Sequence, residues 1–67
     1  MNRAIRQELN GLWNNNAFGN MADFDADDLQ NEARQLCKHW SAQGWTIHAW
    51  VEDVAEFLAE KIAEVSK

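Results

Sequence analysis

The stretch IHAWVEDVAEFLAEKIAEV, residues 47–65, decides the fold. Its apolar residues recur with a period close to 3.6, as in an amphipathic helix that lies on a core. They are Ile47, Trp50, Val51, Val54, Phe57, Leu58, Ile62 and Val65. Alternating apolar residues over 45–51 also permit a strand, but the helical period continues for about five turns. We therefore predict a helix over 47–65, with Thr46 as its cap.

The opposite face of this helix carries a glutamate ladder, which we define as Glu52, Glu56, Glu60 and Glu64, with Asp53 beside it. A four-residue spacing places like charges on one face, where each pair repels by about 0.2–0.5 kcal/mol. No Lys or Arg occurs between residues 51 and 60. Two interpretations remain open: a solvated face that keeps a small protein soluble, or a surface that recognises a basic partner.

Two further amphipathic segments precede this helix. The chain has no proline and only three glycines, which favours helices joined by short turns. Apolar residues spaced three or four apart predict helices over about 2–14 and 26–43. The aspartates Asp25, Asp27 and Asp28 complement the positive end of the second helix, with Asp25 as the favoured N-cap. The sequence thus predicts an all-α fold, a small three-helix bundle that forms one acidic domain over residues 1–67.

Aromatic residues are abundant for a chain of this size, with four Trp and three Phe in 67 residues. A domain of about 60 residues buries only roughly 60% of its unfolded surface, so it needs dense packing or oligomerisation. Phe18 and Trp45 fall in a predicted loop and turn, and Trp50 lies towards one flank of its helix. Phe18 and Trp45 either fold back to cap the bundle or stay exposed as anchors for a partner.

The charge of the chain is acidic and unevenly placed. The net charge is −5, and ten of the eleven acids follow residue 20. Direct binding of nucleic acid or of anionic membrane is disfavoured, because both depend on Lys and Arg. A single cysteine, no apolar leader and no long apolar stretch predict a cytoplasmic protein.

Metal and cofactor sites are not predicted. Cys37 and His39 point about 200° apart on a helix and cannot share a ligand, and Cys37 belongs to the apolar stripe. The run of acids from Asp23 to Asp27 resembles the start of a calcium-binding EF-hand loop. However, Asp28 replaces the glycine needed at the sixth position, and Arg34 replaces the glutamate needed at the twelfth.

Catalytic arrangements are also not predicted. Ser41 and Ser66 have no placed base, and the chain has no glycine-rich phosphate loop. A helix-turn-helix interpretation would present Glu52, Asp53 and Glu56 to the duplex, which is the wrong charge for phosphate. We predict a protein that is not an enzyme and does not bind nucleic acid directly.

The leading hypothesis is an acidic module that docks on a basic surface of a nucleic-acid-handling protein, as an inhibitor or decoy. Successive ladder carboxylates rise about 6 Å along the helix, comparable with phosphate spacing. Small acidic helical proteins of phages and mobile elements act in this way, including nucleic-acid mimics and some anti-CRISPR proteins. The likeness of this chain to them is one of size and charge. If the chain is encoded by such an element, its expected location is the cytoplasm of the bacterial host. The predicted contact residues are Glu52, Asp53, Glu56, Glu60, Glu64, Asp25, Asp27, Asp28, Phe18, Trp45 and Trp50.

Two alternatives remain open at this level. The first is a homo-oligomeric structural or accessory module, in which Trp50 and Phe57 pack between chains and complete the core. The second is a small transcriptional regulator that uses Arg3 and Arg6 as a basic edge.

Overall fold

Three α-helices make up most of residues 1–65, the part of the chain that the computed structural model describes. They are α1 (Arg3–Asn14), α2 (Leu29–Ala42) and α3 (Val51–Val65), with one 3-10 turn at Met21–Asp23. No strand occurs in these residues. The predicted all-α three-helix bundle is therefore confirmed. Ser66 and Lys67 lie outside the described residues.

The core lies mainly between α2 and α3, which share the most extensive helix contact, while α1 contacts α3 over a smaller area. Apolar side chains from all three helices and from the first loop meet there. The buried residues are Leu9, Phe18, Ala33, Leu36, Trp40, Val54, Ala55, Phe57 and Leu58. Three of the four α3 members, Val54, Phe57 and Leu58, fall on the stripe that the 3.6-residue period predicts. Trp50 and Val65, which the same period assigns to the apolar face, are exposed. None of the described helices is both long and apolar enough to cross a membrane.

Four aromatic rings form the centre of the bundle. Phe18 lies 5.2 Å from Trp40, 5.5 Å from Phe57 and 5.6 Å from Trp13, measured between ring centroids. The indole N–H of Trp40 donates a 3.0 Å hydrogen bond to the carbonyl of Ala17. Phe18 is only 3% exposed. The interpretation of Phe18 as an exposed anchor is therefore wrong, because the loop folds back and places its ring in the core.

The second helix begins later than predicted. Asp28, not Asp25, is its N-cap, and the Asp28 carboxylate accepts a 3.2 Å hydrogen bond from the Asn31 N–H. Asp25 instead accepts a 2.9 Å hydrogen bond from the Asp27 N–H, which forms a local turn before the helix. This turn competes with helix formation, so the predicted range of 26–43 contracts to Leu29–Ala42.

The third helix also begins later than predicted, at Val51 rather than at residue 47. The backbone N–H groups of His48 and Ala49 donate hydrogen bonds to the carboxylate of Glu8 on α1. The first bond of the helix runs from the Val54 N–H to the Trp50 carbonyl, at 3.0 Å. Thr46 therefore lies outside the helix and does not cap it. The tertiary contact with Glu8 therefore keeps residues 47–50 out of the helix, although the apolar period of the sequence continues through them.

Candidate functional site

The α2–α3 link, defined as residues 43–50, is fixed to α1 by one side chain. The Glu8 carboxylate accepts hydrogen bonds from the His48 N–H at 3.0 and 3.1 Å and from the Ala49 N–H at 3.0 Å. Its Oε1 also lies 3.2 Å from Nδ1 of His48. The Glu8 side chain is 24% exposed. Such charge-assisted bonds are stronger than neutral ones, so Glu8 sets the position of the link.

The link presents two tryptophans to solvent. Trp45 is 43% exposed and Trp50 is 73% exposed, whereas Ile47 and Ala49 between them are half-buried against the core. Trp50 lines a shallow groove together with Cys37, at the joint between α2 and α3. The two predicted anchors Trp45 and Trp50 are therefore accessible, unlike Phe18.

Cys37 is half-buried in this groove and has no disulfide partner. Burial raises the pKa of its thiol above the ordinary value. A raised pKa lowers the fraction of thiolate, which is the reactive form. The half-buried position and the raised pKa are typical of a cysteine that packs as a small apolar side chain.

The first half of the glutamate ladder is exposed and directly follows Trp50. Glu52 and Glu56 are both exposed, and neither pairs with a Lys or Arg side chain in residues 1–65. Asp53 is half-buried beside them. The amino group of Met1 lies 4.0 Å from Asp53 and 3.9 Å from Glu56. This end of α3 thus combines an exposed indole with exposed carboxylates.

The second half of the ladder is largely neutralised. Arg6 on α1 forms a two-pronged ion pair with Glu60, at 2.7 and 3.1 Å. This hydrogen-bonded pair lowers the pKa of Glu60 and raises that of Arg6. Lys61 lies 3.4 Å from Glu64. The ladder is therefore not one continuous bare stripe, which weakens the analogy with a row of phosphates.

The aspartates Asp25, Asp27 and Asp28 are exposed but lie elsewhere. Asp28 caps the start of α2, and the tryptophans follow its end, about 20 Å away along a helix of this length. Asp25 and Asp28 already serve as local hydrogen-bond acceptors. The structure thus does not bring this cluster together with Trp50. No group of three or more His, Cys, Asp and Glu within residues 1–65 is arranged to hold a metal ion.

Two residues that shape the site were not among the predicted contact residues, although Arg6 was named as part of a basic edge. Arg6 and Glu8 contact partners that lie 54 and 40 residues away in the sequence. No local spacing connects them to those partners. The only feature of the sequence that could have drawn attention to Glu8 is that it is the one acid among the first 20 residues.

Phe57 is placed by the structure at 1% exposure, in the aromatic core. It cannot pack between chains, so that part of the homo-oligomer hypothesis is wrong. Trp50 remains the only accessible member of that pair.

Searches of known protein families, curated proteins and solved structures give no significant match to the chain.

Proposed function

We propose that the chain is a non-enzymatic binding module that docks on a basic protein surface through the start of α3. The observation that carries the proposal is the exposure of Trp50, 73%, directly before the exposed carboxylates of Glu52 and Glu56. Exposed tryptophans are enriched among the residues that dominate binding energy. The net charge of −5 adds long-range attraction towards a basic partner and speeds association.

The partner is proposed to be a protein that itself handles nucleic acid. Such proteins present clusters of Lys and Arg to phosphates, and an acidic module that covers the cluster excludes the nucleic acid. The chain would then act as an inhibitor or decoy of the kind encoded by phages and mobile elements. A reducing compartment such as the cytoplasm keeps Cys37 as a free thiol.

A matched pair of double variants tests the acidic part of the proposal. Glu52→Gln with Glu56→Gln removes the half of the ladder that pairs with no Lys or Arg side chain in residues 1–65, and Glu60→Gln with Glu64→Gln removes the half that pairs with Arg6 and Lys61. Both change the net charge by the same amount. We expect the first variant to lose capture of a basic partner from host lysate at low salt, and the second to retain most of it. Binding by the native chain should weaken as salt screens the charges.

Several outcomes of this experiment would contradict the proposal. Equal loss in the two double variants would show that only total charge matters, and not the surface next to Trp50. Capture that persists at high salt and in both variants would remove the acidic docking surface altogether. A Trp50→Ser variant that captures the partner as well as the native chain would remove the aromatic anchor.

A homodimer is the second candidate, and the same exposure of Trp50 favours it. A small core gains stability when a second chain covers an exposed indole. Sedimentation of the native chain and of Trp50→Ser over a range of concentrations separates the two functions. A native dimer that becomes a monomer on substitution supports this candidate, and a native monomer at high concentration contradicts it.

A further inference from the structure

A pocket of about 440 Å³, open to solvent, lies between α1 and the α2–α3 link. Glu8 and Gly11 line it from α1, and Trp45 and Ile47 line it from the link. The volume falls within the roughly 300–1,000 Å³ typical of ligand pockets. Trp45, Thr46 and Ile47 also line the groove beside Trp50, whereas Glu8 and Gly11 line this pocket alone of the two.

The charge of the pocket comes from Glu8. The side chain of Glu8 is 24% exposed, and no Lys or Arg side chain in residues 1–65 forms an ion pair with it. Its partners are two backbone N–H groups and the exposed imidazole of His48. These three groups make four contacts, two on each oxygen, because the His48 N–H is shared between both oxygens. A carboxylate accommodates about four hydrogen bonds, so one further donor can be accepted beside these three groups. Partial burial also strengthens its attraction for a cation, because the surroundings screen the charge less than bulk water does.

The other walls of the pocket suit a cation on an apolar stem. Trp45 is 43% exposed, and an indole face attracts ammonium and guanidinium groups, arginine more often than lysine. The half-buried side chains of Leu12 and Ile47 offer apolar surface for a methylene chain. A planar guanidinium can stack on the indole and donate to a carboxylate at the same time.

We propose that this pocket binds an arginine side chain, with the guanidinium held between Glu8 and Trp45. The inference rests on the proposed function, since it names the group that a basic partner inserts. It places this contact on α1 and the link, separate from the acidic residues of α3. Binding at the pocket and docking on α3 can therefore be tested independently.

The test is a titration of the ¹⁵N-labelled protein with a capped glycine–arginine–glycine peptide, followed by nuclear magnetic resonance. A peptide with citrulline in place of arginine is the matched control, because citrulline has nearly the same shape without the charge. We expect the arginine peptide to shift the Trp45 indole N–H and the Gly11 amide in a saturable way. The citrulline peptide should shift them several-fold less at equal concentration.

Gly11 offers a variant that blocks the pocket without disturbing the fold. A Cβ placed on Gly11 meets no atom within 4 Å, and glycine is a poor helix former, so we expect the helix to accept a larger side chain there. We expect Gly11→Leu to abolish the arginine-dependent shifts, and the small Gly11→Ala to retain them. Glu8→Gln should also abolish them.

Equal shifts with citrulline would overturn the inference, and so would arginine shifts that survive Gly11→Leu. Absence of saturable shifts at the highest soluble peptide concentration would also do so. None of these three results changes the outcome of the capture experiment on Glu52 and Glu56, and loss of capture in that experiment leaves the peptide titration unaffected. The two proposals can therefore fail separately.

Discussion

The two connections of the bundle carry aromatic residues, yet they place them in opposite surroundings. The first, residues 15–28, folds back so that Phe18 is 3% exposed. The second, the α2–α3 link, leaves Trp45 at 43% and Trp50 at 73% exposure. Both use a glycine in the left-handed region, Gly19 at φ 75° and Gly44 at φ 82°. The two backbones therefore both turn at a left-handed glycine, whereas their aromatic side chains differ in burial.

The difference lies in how each connection is held. The first connection is held by the core itself, through the ring of Phe18 and the bond from the Trp40 indole to Ala17. The second is held by the carboxylate of Glu8, which binds the backbone at His48 and Ala49. A link fixed through its backbone keeps its tryptophans free for contact with another molecule. Under the proposed function, the first connection serves stability and the second serves binding.

Replacement of Phe18 by Ala is the strongest test of the first connection. Removal of a buried Phe costs about 3–5 kcal/mol of unfolding free energy. A domain of this length has a total stability of roughly 3–10 kcal/mol, so much of the population would unfold. Urea unfolding followed by circular dichroism measures the loss. The control is Trp45→Ala, and a loss of the same size there would remove the distinction between the two connections.

Replacement of Glu8 by Gln tests how the second connection is held. The variant keeps the shape but removes the charge, and hydrogen bonds to charged groups contribute about 1.5–3 kcal/mol each. Since Gln retains one acceptor oxygen, we expect a loss at the low end of this range. Hydrogen exchange at the His48 and Ala49 amides should accelerate more than exchange in the middle of α2. Unchanged exchange at these two amides would show that Glu8 does not hold the link.

The parts of the fold that follow from short-range pattern were predictable from the sequence. The end of α1 at Asn14 and the buried stripe of Val54, Phe57 and Leu58 follow from helical spacing. The start of α3 did not follow, because the apolar period continues back to Ile47 while Glu8 binds the backbone at residues 48 and 49.

The candidate site was predictable in composition but not in arrangement. The exposed pair Glu52 and Glu56 comes directly from the helical pattern. The exposure of Trp50 does not, because the same pattern assigns Trp50 to the apolar face and only its position towards the flank indicated otherwise. The neutralisation of Glu60 by Arg6 does not, because the two residues lie 54 positions apart. Burial of Phe18 rather than Trp45 also depends on how the loops return to the core. Tertiary packing decides which of the two rings is buried, and local sequence patterns do not predict it.

The two glycines give a test in which both connections should respond alike. Gly19→Ala and Gly44→Ala each force a side chain into the left-handed region, at a cost of about 1–2 kcal/mol. Neither added methyl group meets a neighbouring atom, so the effect is conformational alone. Thermal unfolding of the two variants measures it. A large difference between them would show that the backbones of the two connections are not equivalent.

Replacement of Trp50 by Ser should have the smallest effect on stability and the largest on binding. An exposed residue outside special contacts changes the unfolding free energy by no more than about 0.5 kcal/mol. Trp50 contributes its carbonyl to the first bond of α3, and serine preserves that carbonyl and can also cap the helix. Urea unfolding should therefore match the native chain. A loss as large as that of Phe18→Ala would place Trp50 in the core and remove the contrast between the connections. If Trp50→Ser keeps the stability of the native chain but loses partner capture, the most exposed indole of the chain serves recognition and not folding.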